Sequence, residues 1–294
     1  MARMRIPFFA FLAGLITLAA SAALADPISD RISVMVRGHG PDVVLIPGIA
    51  SSSAVWDMTV VHLEDRYRLH IVQINGFAGA PTKANGAGPV LQPVVEAIAA
   101  YIQTNHLKSP AVIGHSFGGT VGLMLALEHP EDVGRLMVVA TLPFSGFLFG
   151  GTNVATSEPI AAKLRDHTIK EPHWLYALGE KRFINYIEKS HDARKTTLAW
   201  AVNSDKAVVA RASYDDLTTD LRPELQHIKT QVTVLYPWYP SFKYSKLDTK
   251  AFYEQNFAGL PNKTLVCIEG ASHFIMLDQP DLFFAEVDSF LEKE

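Results

Sequence analysis

Cysteine is almost missing from this sequence of 294 residues, which contains only Cys267 and therefore has no pair for an internal disulfide. That residue lies in the apolar run Thr264–Ile268, which predicts a buried core thiol rather than a nucleophile. Basic runs are also missing and the formal net charge is −4, so a nucleic-acid partner is not favoured. Neither a Gly-x-Gly-x-x-Gly nor a P-loop pattern occurs, and the 11 histidines show no metal-ligand spacing. We therefore expect an activity that needs no metal and no cofactor.

The first 25 residues have the three parts of a secretory signal peptide. Arg3 and Arg5 form a basic start, residues Ile6–Ala20 are almost wholly apolar, and Ala23–Ala25 matches an A-x-A cleavage site. An uncleaved anchor helix, the alternative, needs about 20 apolar residues, whereas this run is shorter and ends in small residues. The expectation is a mature chain that begins at Asp26 and is exported to the periplasm or beyond. No later stretch is apolar enough to span a bilayer, so no stable membrane anchor is expected after cleavage.

Short apolar stretches alternate with helical patterns along most of the chain. Strands are predicted at Ile32–Val36, Asp42–Ile46, Tyr67–Ile74, Arg135–Ala140, Gln231–Tyr236 and Thr264–Ile268, with one more directly before Ser116. Helices are predicted at Trp56–Leu63, Val90–Leu107, Gly118–Leu127 and Phe283–Leu291. This alternation is typical of an α/β fold whose mostly parallel sheet carries helices on both faces.

The character of the sequence changes after Pro143. Residues 144–227 have no clear strand pattern and combine many aromatic residues with many charges, which predicts a helical cap lying over the sheet. The predicted organisation is a signal peptide at 1–25, a core formed by 26–143 and 228–294, and a cap at 144–227. The cap aromatics favour an apolar substrate pocket.

One stretch joins a predicted strand directly to a predicted helix. Its centre, Gly114-His115-Ser116-Phe117-Gly118, matches Gly-x-Ser-x-Gly, the nucleophile elbow in which a strained serine stands above the sheet. The alternative is a glycine-rich turn that has no catalytic role, but the strand–turn–helix setting favours a catalytic Ser116. We expect His115 to be a packing residue exposed to the same site, and Phe117 to contribute an apolar wall.

Three motifs together resemble the α/β-hydrolase superfamily, and most closely its capped, esterase-like members, over residues 32–294. They are the elbow at Gly114–Gly119, the loop Leu45–Ile49 and the segment Gly270–Pro280. The loop looks like the family's His-Gly-x oxyanion loop, with Pro47 in place of the usual histidine. The segment looks like the family's catalytic-histidine loop, which lies between the last strand and the last helix.

The resemblance implies a role for each of these motifs. Ser116 is the expected nucleophile, and His273 is the base that takes its proton. The backbone amides of Phe117 and Ile49 are expected to form the oxyanion hole, with Ala50 as the second choice for the latter.

The third triad member is where the sequence departs from the family. The acid usually follows the strand predicted here at Gln231–Tyr236, yet Tyr239 stands about where it is expected. Asp248 is the nearest carboxylate along the same loop, although a solvated loop or helix N-cap position also explains it. Asp278 is close to His273 in sequence, but in the family that position commonly belongs to the approach to the last helix.

These expectations combine into an exported serine hydrolase that cleaves an apolar carboxylic ester through an acyl-enzyme, with a small-molecule ester as its partner. Lactone, amide or carbon–carbon cleavage at the same site remains an alternative chemistry. A non-catalytic ligand-binding protein on the same fold is the alternative of another class, and the missing acid and Pro47 support it.

Overall fold

The computed structural model describes residues 30–240 and 243–292, and the predicted signal peptide at 1–25 lies outside them. Seven strands form one sheet in the described residues. They are β1 (Ile32–Gly38), β2 (Asp42–Ile46), β3 (Arg68–Ile74), β4 (Ala111–His115), β5 (Arg135–Val139), β6 (Gln231–Trp238) and β7 (Lys263–Glu269). Each overlaps a stretch that the apolar pattern predicts, with ends that differ by at most two residues.

The strand order in the sheet is β1-β3-β2-β4-β5-β6-β7. Only β1 runs antiparallel to its neighbour β3, and the other pairs are parallel. The α/β-hydrolase arrangement expected from the resemblance is thereby confirmed. Because β4 is the central strand, its carboxyl end, where Ser116 follows, is flanked by neighbouring strands that end at the same edge.

Ten α-helices occur in the described part of the chain. They are α1 (Asp57–Leu63), α2 (Leu91–Thr104), α3 (Phe117–Glu128), α4 (Val154–Lys170), α5 (His173–Ile187), α6 (His191–Asn203), α7 (Lys206–Thr218), α8 (Lys246–Asn256), α9 (Ile275–Asp278) and α10 (Pro280–Glu292). None of these helices is both long and apolar enough to cross a bilayer.

The sheet has an apolar layer on each face because alternate residues of a strand point to opposite sides. In β2, Val44 and Ile46 join one buried cluster, and Val43 and Leu45 join the other. Central strands buried on both faces need continuous apolar runs, which is the pattern of this sequence. Cys267 packs against the core, but it is half-buried rather than the buried thiol that was predicted, since β7 is the edge strand.

Helices α4 to α7 lie between β5 and β6, and we call them the cap. Helix α7 anchors the cap to the sheet layer, because Val208 is fully buried in the core and packs where Gly76 has no side chain. The carboxylate of Asp215 accepts hydrogen bonds from the amides of Val90 and Leu91 at the start of α2, at 2.6 and 3.1 Å. These contacts fix α7 against the core, and the α5–α6 turn reaches over to the segment after β7.

Candidate active site

Ser116 occupies a strained turn between β4 and α3. Its φ of 54° and ψ of −122° lie in a region that L-residues with a side chain rarely adopt. The Ser116 amide donates to the carbonyl oxygen of Val139 at 2.9 Å, and its own carbonyl accepts from Thr141 Oγ1 at 3.0 Å. Contacts to the neighbouring strand β5 and the residues after it therefore hold the strained backbone in place.

The glycines of the elbow leave no room for a side chain. A Cβ on Gly114 would lie 2.1 Å from the carbonyl oxygen of Gly118, and one on Gly118 would lie 2.3 Å from that of Ile46. Helix α3 therefore packs backbone against backbone on β4 and on the end of β2. This close approach explains why the sequence has glycine at both positions.

The loop after β2 lies against the serine. A Cβ on Gly48 would be 3.1 Å from Ser116 Cβ, so the loop that contains Ile49 lies beside the nucleophile. Within residues 30–240 and 243–292, the amides of Ile49 and Phe117 donate to no protein acceptor. Phe117 is also the first residue of α3, where peptide N–H groups are unpaired and the helix dipole favours negative charge. Both amides are available to a bound oxyanion.

The side chain of Phe117 is in the core rather than in a pocket. It is almost fully buried and meets the ring of Phe77 edge-on, with the ring centroids 6.3 Å apart. The prediction that Phe117 forms an apolar wall of the substrate pocket is therefore wrong. The expected role of its backbone amide does not depend on the side chain, and that amide donates to no described acceptor.

His273 follows β7 and is held through its backbone from two sides. Its amide donates to the carbonyl oxygen of Ile187 in the cap at 3.0 Å, and its carbonyl accepts from Nε2 of His115 at 3.0 Å. Burial lowers the pKa of His273 to about 4, and the charge of Asp278 opposes this shift by raising it. At neutral pH the imidazole is therefore uncharged, which is the form that accepts a proton.

His115 lies beside His273, with the ring centroids 4.7 Å apart. The expectation that His115 is exposed to the site is wrong, because its side chain is completely buried. Its Nε2 must carry the proton, since the His273 carbonyl only accepts, and Nδ1 has no partner among the described residues. Burial, reinforced by the nearby His273, holds the pKa of His115 well below its usual value. His115 therefore supports the His273 segment through its hydrogen bond to the backbone carbonyl.

The three acid positions considered from the sequence have different surroundings. The ring of Tyr239 lies 5.0 Å from Nζ of Lys189 in the cap. Asp248 is exposed and bonds reciprocally with Ser245 at the start of α8, so it has the helix-start role that the sequence also allowed. Asp278 accepts from the amide of Ser272 at 2.7 Å. Sequence reasoning set Asp278 aside, yet it is the carboxylate whose charge acts on the histidine.

Two other features lie away from this site. A surface recess of about 570 Å³ is lined by Asp57, Met58, Val61, His62 and Phe284. On another surface, the carboxylates of Glu96 and Glu128 come close to His129, and the amide of Gln92 donates to both carboxylates at 3.1 and 2.6 Å. That bridging amide accounts for the cluster without a bound ion.

The comparison with known proteins agrees with the fold and the motifs. Residues 43–287 match the model of the alpha/beta hydrolase family. Since this match spans most of the chain, the protein belongs to the alpha/beta hydrolase family.

Relatives and solved structures are similar to this chain to different extents. A pimeloyl-[acyl-carrier protein] methyl ester esterase of Aliivibrio salmonicida is 26% identical over 270 residues, or 88% of this chain and 95% of the relative. The esterase of the same name from Aeromonas hydrophila is 40% identical over 116 residues, which cover 38% of this chain and only 42% of that relative. A hydrolase from Pseudomonas aeruginosa superposes with a TM-score of 0.74 at 20% identity, covering 89% of this chain and 94% of the other. At that identity the superposition shows a shared fold alone.

Proposed function

We propose that this protein is a serine hydrolase that cleaves a carboxylic ester through an acyl-enzyme. The observation that carries the proposal is the strained Ser116 at the carboxyl end of the central strand, with Gly48 against it and the His115–His273 pair alongside. Two relatives named as methyl ester esterases support ester chemistry within the family.

In the first half of the reaction, Oγ of Ser116 attacks the ester carbonyl carbon while His273 takes the hydroxyl proton. The carbonyl electrons move onto oxygen, and the amides of Phe117 and Ile49 stabilise the resulting oxyanion. The intermediate then collapses, the bond to the alcohol oxygen breaks, and His273 returns its proton to the leaving alcohol. The acyl group stays on Ser116 as an ester.

In the second half, a water molecule attacks the acyl carbon and gives a proton to His273. A second oxyanion forms in the same place, the bond to Ser116 Oγ breaks, and the proton passes to the serine. The carboxylic acid product leaves, and the enzyme returns to its starting state without any cofactor.

We further propose that the substrate is uncharged around the reacting ester. The support is the low pKa of His273, which burial causes, because surroundings that disfavour an imidazolium disfavour any unpaired charge brought beside it. The Asp278 carboxylate next to the His273 segment adds repulsion toward anionic substrates. Aliphatic nitrophenyl esters are the simplest probes of this class.

The test is labelling of the protein by a fluorophosphonate, together with hydrolysis of nitrophenyl acetate, butyrate and the carboxylate-bearing succinate monoester. We expect labelling and faster turnover of the uncharged esters. Ser116→Ala should abolish both, whereas Ser33→Ala, an exposed serine of β1, should change neither. Labelling that survives Ser116→Ala would refute the nucleophile, and a preference for the succinate monoester would refute the substrate class. A ligand that binds tightly and is recovered unchanged, without Ser116-dependent turnover, would favour a binding protein.

We also propose export of the protein by the signal peptide at residues 1–25. The support is the sequence alone, with Arg3 and Arg5 before the apolar run and the A-x-A pattern before Asp26. Mass spectrometry of protein from the native host should give an N-terminus at Asp26, and Ala25→Pro should block this cleavage. An intact leader on membrane-bound protein would instead support an anchored form.

A further inference from the structure

The loop that normally supplies the triad acid contains no acid in this chain. From Pro237 to Lys246, between the end of β6 and the start of α8, the sequence contains neither aspartate nor glutamate. A neutral side chain in that loop can orient a histidine but adds no negative charge beside the imidazolium that forms during catalysis. Any such charge must come from another element that packs against the His273 segment.

Asp278, at the end of α9, receives three peptide hydrogen bonds. Oδ2 accepts from the amide of Ser272 at 2.7 Å, and Oδ1 accepts from the amides of Lys189 and Ser190 at 3.2 and 2.8 Å. Hydrogen bonds from N–H groups favour the charged form of a carboxylate. No cation neutralises this charge, because Asp278 is in none of the ion pairs formed by the described residues.

Two of these three donors belong to the turn between α5 and α6 in the cap. The same turn accepts the amide hydrogen of His273 at the carbonyl of Ile187. The cap and the His273 segment are thus joined through the Asp278 carboxylate and one backbone hydrogen bond. Asp278 lies at the centre of this junction, and its charge is the one that raises the pKa of His273 against the effect of burial.

Glu188 completes the junction as a second, fully buried carboxyl group. Its Oε1 accepts from the amide of Ser190 at 2.9 Å, and Oε2 is buried without a hydrogen-bond partner among the described residues. Burial, together with Asp278, raises the pKa of Glu188 to about 9, against a weaker opposing effect of Arg194. Glu188 is therefore uncharged at neutral pH and adds no second negative charge beside Asp278.

Building on the proposed serine hydrolase, we propose that Asp278 is the positioning residue of His273 and replaces the absent loop acid. The backbone amides of the α5–α6 turn of the cap hold it in place. Its charge stabilises the imidazolium that forms when His273 takes the Ser116 proton, and its bond to Ser272 fixes the approach of the histidine backbone. Correct docking of the cap thereby becomes a condition for a competent base.

The test compares Asp278→Asn with Asp281→Asn in the full enzyme. Asp278→Asn keeps the size and removes the charge, so we expect kcat to fall roughly 10–1,000-fold with little change in KM. This is less than the roughly 10⁴-fold found where the acid bonds the histidine directly. Labelling by the fluorophosphonate should slow at low pH as His273 becomes protonated, and we call this part of the pH profile the acid limb. Because the charge of Asp278 raises the pKa of His273, the acid limb of Asp278→Asn should lie at lower pH than that of the unaltered protein. Asp281→Asn removes an exposed carboxylate in the first turn of α10 that takes no part in this junction, so its kcat should match that of the unaltered protein within about twofold and its acid limb should not move.

Several outcomes would overturn the proposal. An unchanged kcat in Asp278→Asn would overturn it. A reduced kcat together with a lower Tm and an unmoved acid limb would also overturn it, because that combination indicates that Asp278 only supports the structure. If Asp278→Asn does not fold, Asp278→Glu is compared with Asp278→Gln, and equal labelling rates refute a role for the charge. Failure of the unaltered enzyme to label at Ser116 would instead refute the serine hydrolase itself, so the two failures are distinguishable.

Discussion

Changing His273 to alanine is expected to lower kcat for a nitrophenyl ester by on the order of 10⁴-fold or more. Without a base within reach, the Ser116 hydroxyl keeps its proton and is a weak nucleophile at neutral pH. The fold should survive, because the hydrogen bonds to Ile187 and His115 involve the backbone of residue 273 and not its ring. Steady-state kinetics together with thermal unfolding followed by circular dichroism measure both effects.

His115→Gln is the matched control, since it alters the neighbouring histidine 4.7 Å away. Glutamine can still donate to the His273 carbonyl, so we expect a loss of less than about tenfold in kcat together with a lower Tm. If His115→Gln loses as much activity as His273→Ala at an unchanged Tm, then His115 is the base and the roles assigned to the two histidines are reversed.

The central strands could be predicted because burial on both faces of the sheet requires apolar residues at consecutive positions, and such a run is visible in the local sequence. A strand such as β2, with Val43 to Ile46 fully buried, needs apolar residues on both faces and therefore stands out as a continuous run. The elbow is equally local, since Gly114 and Gly118 meet backbone within a few residues along the chain or on the adjacent strand. Helix ends were less well predicted: α2 ends at Thr104 rather than Leu107, and α10 begins at Pro280 rather than Phe283.

The acid junction at His273 could not be predicted from local patterns. Asp278 and Glu188 are 90 residues apart, and only the docking of the α5–α6 turn brings them together. Asp248, by contrast, carried a usable signal, because a serine followed three residues later by an acid marks a helix start. Ser245 and Asp248 form that capping box in the structure. That pattern favours a helix-start role for Asp248 over a place in the triad.

Gly114→Ala is expected to destabilise the protein by about 3 kcal/mol or more and to lower Tm by roughly 6–12 °C. The added Cβ would lie 2.1 Å from the Gly118 carbonyl oxygen and 2.7 Å from the Gly119 nitrogen. Both neighbours are backbone atoms of the first turn of α3, so relief requires that helix to move away from β4. The movement displaces Ser116, and ester turnover should fall together with Tm.

Gly179→Ala is the control, because it makes the same chemical change but is expected to raise Tm rather than lower it. A Cβ there meets nothing within 4 Å, and the residue lies inside α5, where alanine is preferred over glycine by about 0.5–1 kcal/mol. Tm should therefore rise by roughly 1–4 °C with turnover unchanged. Thermal unfolding of both variants and the unaltered protein in the same buffer measures these changes in Tm. Equal Tm values for the two variants would contradict the close backbone packing of α3 on β4, because that packing is the reason Gly114→Ala is expected to lower Tm.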